Sequence, residues 1–120
     1  GGLGMGLVDA ALIAAECGRA CLAEPLVDTA FVGVPWLLAQ GKTGQLADVA
    51  AGRVTLPLSH AINPWVADGA GVALKSVDPM RNLAASANDN ADPYLLNLGA
   101  LMSAAQLVGL ADAMLHLAVE

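Results

Sequence analysis

The sequence predicts a mainly α fold, with a helical N-terminal segment, a short remnant of β-structure and a long C-terminal helix. Three observations point there. Apolar residues recur at helical spacing in both terminal thirds, and each such run is bounded by cap and stop residues. Alternation of the strand type is confined to a stretch near Arg53–Ser59. The segments divide as 1–52, 53–91 and 92–120.

In the first segment, the glycine-rich Gly1–Gly6 forms a turn-rich entry. Asp9 is the expected N-cap of a helix over Ala10–Arg19, with Leu12, Ile13 and Cys17 on one apolar face and Glu16 and Arg19 turned elsewhere. Pro25 ends or redirects that segment. A second helix is expected from Asp28 as cap to Gln40, with Gly41 as its stop and Pro35 as a kink or a late start. Thr43 then caps a short helix over Gln45–Ala51, which Gly52 closes.

The middle segment opens with Arg53–Ser59, β-branched and alternating, where Pro57 places the strand at an edge or a bulge. From Ala61 to Ala91 the chain holds Pro64, Pro79 and an Asn/Asp/Ser cluster. It reads as loop with at most one further short strand, near Val72–Val77. So long a connection is unusual in a compact domain and hints at a missing or degenerate β piece.

Asp92-Pro93 marks the start of the last helix, Asp as N-cap and Pro in the first turn. On a helical wheel Leu96, Ala100, Leu101, Ala104, Leu107, Val108, Ala111, Met114, Leu115, Ala118 and Val119 form one apolar stripe. Gln106, Asp112, His116 and Glu120 gather on the opposite side. No stop signal follows Val119, so the chain is expected to break off within a helix.

Composition narrows the function classes. Hydrophobic residues make up 57% and charged residues 13% of the 120 residues, and mean hydropathy is +0.62. Ordinary soluble domains carry about twice that share of charge, so part of the surface is expected to be covered by other polypeptide. The uncharged run Pro93–Ala111 approaches the length of a membrane span. It holds Asn97, Ser103 and Gln106, is flanked by Asp92 and Asp112, and has no adjacent basic cluster to set orientation, so a buried helix is expected instead of a span. The net charge is −6, and the bases Arg19, Lys42, Arg53, Lys75 and Arg81 are scattered singly. Nucleic acid and anionic membrane surfaces are thereby disfavoured as partners. No secretory leader is legible, and a cytoplasmic location is the expectation.

The chemistry-bearing residues form no sufficient constellation. Gly2, Gly4 and Gly6 do not match the GxGxxG phosphate loop. Asp112, His116 and Glu120, spaced by four, align on one helix face and could hold a metal or a proton; a solvated polar face is the favoured account, and no metal site is assigned. Ser59 and His60 are neighbours on a strand and point to opposite faces, so they do not form a nucleophile–base pair. Cys17 and Cys21 are expected as small buried hydrophobes without a disulfide. Trp36 and Trp65 are expected as packing anchors.

The order of the segments resembles the acyl-CoA dehydrogenase family. Gly2-Leu3-Gly4-Met5-Gly6-Leu7, then Ala15-Glu16 and Gly18-Arg19-Ala20, is similar to the family's "GGLGLG" loop and a helix ending in "EELGRA". Glu24-Pro25-Leu26, Asp28-Thr29-Ala30, Leu37-Leu38 and Gly41 look like a bacterial branch acting in steroid and acyl-CoA degradation. Ala51-Gly52-Arg53 resembles the entry to the family's middle β-domain, and Ser76-Val77-Asp78-Pro79-Met80-Arg81 resembles an "SVDPTRR" element near its end. Leu98–Glu120 resembles the first helix of the C-terminal bundle.

The resemblance implies an N-terminal helical domain over 1–52, a remnant of the middle β-domain and loop over 53–91, and the first bundle helix over 92–120. It implies α,β-dehydrogenation of an acyl-CoA thioester, with FAD as hydride acceptor and an electron-transfer flavoprotein as electron partner, in a homo- or hetero-oligomer. Leu58 and Ser59 fall where a strand of the family contacts the flavin, and His60 stands in place of its glutamate. The interval between Arg53 and Asp92 is far shorter than the family's barrel. The family's catalytic carboxylate lies beyond Glu120, so no catalytic residue is assigned and the isolated chain is expected to be inactive. The alternative is a non-catalytic helical subunit or interaction module that pairs with a complete dehydrogenase.

Overall fold

The computed structural model describes residues 4–22, 24–54, 56, 65–67, 72–77, 79, 83–85 and 92–119. The fold is mainly α, as the patterning predicts. Its elements are α1 (Leu7–Arg19), α2 (Val27–Ala39), α3 (Leu46–Ala50), strands β1 (Trp65–Ala67), β2 (Val72–Leu74) and β3 (Leu83–Ala85), and α4 (Pro93–Val119).

α1 starts earlier than its acid suggests. Gly6 is the N-cap, and Asp9 sits inside the first turn, where its Oδ2 accepts the Gly6 N–H at 2.8 Å. An acid can cap from the front or reach back from the third helical position; here it reaches back, so Leu7 and Val8 join the helix. The helix stops at Arg19 without help from Pro25. Cys21 adopts φ 51°, the Cys21 N–H donates to Gly18 O, and the Leu22 N–H donates to Cys17 O. This is the paired closing pattern of a Schellman motif, in which glycine is the usual occupant of the left-handed position. Gly41 and Gly52 close α2 and α3 by the same two bonds. Pro25 instead opens the next helical run, its carbonyl accepting the Thr29 N–H.

α2 is continuous, and Asp28 lies inside its first turn instead of capping it. Its first part, Val27–Gly33, is wound as a π-helix, with the Val34 N–H donating to Thr29 O five residues back. The α-helical part follows, with Pro35 in its first turn. A proline ring crowds the carbonyl four residues back, here that of Phe31, and the preceding turn is the widened one. The expected kink is therefore realised as a change of helix pitch. Thr43 is likewise no side-chain cap: it belongs to a 3-10 turn, Thr43–Gln45, that runs into α3.

The middle segment departs most from expectation. Val54 and Leu56 are not in a strand, and Arg53 folds back so that Nε and Nη2 both donate to Asp48 Oδ1, at 3.0 and 2.7 Å. Leu56 is buried against Gly33. Three strands form later in the chain, where at most one was expected; β2 lies at the expected Val72–Val77, and β1 and β3 are additional. The central β3 pairs antiparallel with both neighbours, in register Val66↔Ala84 and Ala73↔Ala84. Strands of three residues are too short to show alternation, and β3 is Leu-Ala-Ala, a sequence of helical preference that the pairing overrides.

The principal core gathers Ala14 of α1, Val27, Phe31 and Val32 of α2, and Leu95, Leu98 and Met102 of α4. Farther along, α1 and α4 cross at backbone contact. A methyl group on Gly18 would lie 1.9 Å from the Gln106 carbonyl oxygen, and one on Gly109 would lie 1.7 Å from that of Ala15. Both helices carry an Ala-x-x-x-Gly pair here, Ala14/Gly18 and Ala105/Gly109, which lets two backbones approach.

This crossing inverts the faces expected of both helices. On α1 the buried residues are Ala14 and Gly18, while Leu12 is 64% exposed and Ile13 is also exposed. On α4 the buried residues are Leu95, Leu98, Gly99, Met102 and Gly109, with Gln106 and Asp112 half-buried beside them. Most of the expected apolar stripe points outward. α4 is apolar all round, so a wheel cannot say which face is inside; close approach selects the face with the smallest side chains.

Gly18→Ala and Gly109→Ala should each cost about 1–3 kcal/mol, because a Cβ has no room between two backbones. Gly44→Ala, which meets nothing within 4 Å and needs no positive φ, should cost nothing. Cys21→Gly should gain about 1 kcal/mol by relieving the left-handed backbone of a side-chain residue. Urea unfolding followed by circular dichroism reads all four variants.

Candidate functional site

The described polar chemistry clusters where α1 meets the second half of α4. Arg19, the last residue of α1, directs Nη1 to Asp112 Oδ2 and donates from Nε to Glu16 Oε2 at 3.2 Å. A cation suits the negative end of α1, and Asp112 is carried to it by the crossing at Gly109, one turn before. The side chains of Arg19 and Asp112 are 48% and 35% exposed, so solvent screens the pair and its worth is at most about 1 kcal/mol.

This pairing redirects the acid–histidine row expected on α4. Asp112 is engaged by Arg19 across the helix interface. The His116 Nδ1–H donates to the Asp112 main-chain carbonyl at 2.8 Å, while its distance to Oδ1 is 3.6 Å. The side chain of Glu120 lies outside the described residues. Among the described residues no three histidine, cysteine or acidic side chains converge in a metal-like group. The cluster ties two helices together.

Beside it lies a groove of about 290 Å³ lined by Gly18, Cys21, Leu22, Gln106, Leu107 and Leu110. Cys21 is exposed and Cys17 half-buried, both as free thiols, so the expectation of two buried cysteines fails. The reason is local: Cys21 occupies the left-handed residue that turns the chain out of α1.

At the other end of α4, Asp92 does two jobs. Its Oδ1 accepts the Tyr94 N–H at 2.9 Å, the N-cap expected from sequence, and its Oδ2 accepts the Trp36 indole N–H at 2.8 Å. Lys42 lies over the Trp36 ring, 4.9 Å from its centroid. Trp36 is thus an anchor with a polar handle, joining α2 to the start of α4. Sequence reasoning found both residues separately and missed the bond between them, because nothing local links positions 36 and 92. The glycine contacts were also missed, although the two Ala-x-x-x-Gly spacings were there to be read.

The residues assigned to the flavin by resemblance, Leu58 and Ser59, lie outside the described residues, as do His60 and the first three residues of the Gly1–Gly6 entry. Trp65 is described only as backbone in β1.

No family model matches the chain, and no solved structure matches it. Among curated proteins, the chain is similar to the acyl-CoA dehydrogenase IpdE2 of Mycobacterium tuberculosis, 28% identical over an alignment of 145 residues. The match takes in all of this chain and 46% of that protein, so the chain spans about half the length of the curated relative it matches.

A double-mutant cycle with Arg19→Met and Asp112→Asn should return a coupling of about 0.5–1 kcal/mol that falls as salt is raised. A coupling several times larger, insensitive to salt, would mark the pair as buried and contradict the geometry.

Proposed function

We propose that these 120 residues are the helical scaffold portion of an acyl-CoA dehydrogenase-type flavoprotein, whose whole performs α,β-dehydrogenation of an acyl-CoA thioester. The observation that carries this is the match of the full chain to part of one acyl-CoA dehydrogenase. In support stands the element order: an N-terminal helical pair, a small antiparallel sheet and a long helix that returns to pack on the first. The same order of segments carries the resemblance seen in the sequence.

FAD would be the hydride acceptor of the whole protein, and a flavin supplies the hard redox step while the polypeptide places it and the substrate. The described residues do not by themselves fit that group. Arg19 is held by Asp112, Arg53 by Asp48, and Lys42 lies over Trp36, which leaves these three cations engaged with partners of their own and not aimed at a pyrophosphate. The groove between α1 and α4 is at the small end for any cofactor pocket and mostly apolar. The role proposed for the described residues is therefore mechanical. Asp92 fixes the start of α4 against Trp36, and the glycine crossing with Arg19–Asp112 fixes its course, so that any residue borne on α4 or on its continuation is held in place. Acyl-CoA as substrate, an electron-transfer flavoprotein as electron partner and a cytoplasmic location belong to the same proposal.

The 120-residue chain, purified alone, should be colourless and without acyl-CoA-dependent dye reduction. Joined to the segments of a dehydrogenase that it does not match, it should yield a yellow protein whose flavin band bleaches on adding an acyl-CoA. A substrate-bleachable flavin on the 120 residues alone would contradict the scaffold role, and a joined protein that folds without flavin would contradict the dehydrogenase assignment.

A further inference from the structure

We draw no further inference here: the strongest candidate, the apolar outer face of α4 on which Leu101, Val108 and Leu115 are exposed, carries nothing because nothing in the structure shows what covers it.

Discussion

The structure depends on one steric constraint: α1 and α4 touch backbone to backbone, and glycine is the residue that allows it. Gly18 faces the Gln106 carbonyl and Gly109 faces that of Ala15, each too close for a side chain. Two helices with ordinary side chains between them lie 8–10 Å apart; a crossing made by glycine brings them nearer. Once that contact is set, the rotation of both helices about their axes is decided. Ala14, Leu98 and Met102 then face the core, Asp112 arrives at Arg19, and Leu12 and Val108 turn to solvent.

A division of labour along α4 follows. Its first half is buried against α1 and α2 through Leu95, Leu98 and Met102, and its start is fixed by Asp92. Among the described residues, its second half is held through one side, by the Gly109 contact and the Arg19 pair, and Leu101, Val108 and Leu115 are exposed. The helix is long and apolar enough to cross a membrane by length and composition alone. Its inner face carries Gln106, Asp112 and His116, groups that meet protein partners or solvent here and that would be expensive in lipid. The surplus of apolar surface inferred from composition thus has a location among the described residues, the outer face of α4.

Much of the architecture was legible in sequence, and the failures share a cause. The helical segments, the Asp92-Pro93 start and the stops at Gly41 and Gly52 are local signals, set by capping and backbone preference, and they hold. The positions of Asp9 and Thr43 show the limit of such signals, since a capping residue does not say which helical position it caps from. The burial faces are not local. Leu12 and Ile13 are the large apolar residues in the middle of α1, yet area lost by burying Ala14 and Gly18 instead is offset by close helix approach. Of the β structure, the strand near Val72–Val77 was legible, whereas β1 and β3 were missed because three-residue strands lack a period and because Leu-Ala-Ala in β3 is paired by context. The flavin assignment to Leu58 and Ser59 rested on family resemblance, and these residues fall outside those described.

The inverted helix faces are accessible to one measurement in solution, the interproton contacts between α1 and α4 by nuclear Overhauser spectroscopy. The account predicts cross-peaks from the Gly18 α-protons to Gln106 and from the Gly109 α-protons to Ala15, with Leu12 and Ile13 showing none to Gln106 or Gly109. Cross-peaks from the Leu12 and Ile13 methyls to Gln106 and Gly109, with the glycine α-protons silent, would contradict it, because they would mean that α1 packs on α4 through its large apolar residues.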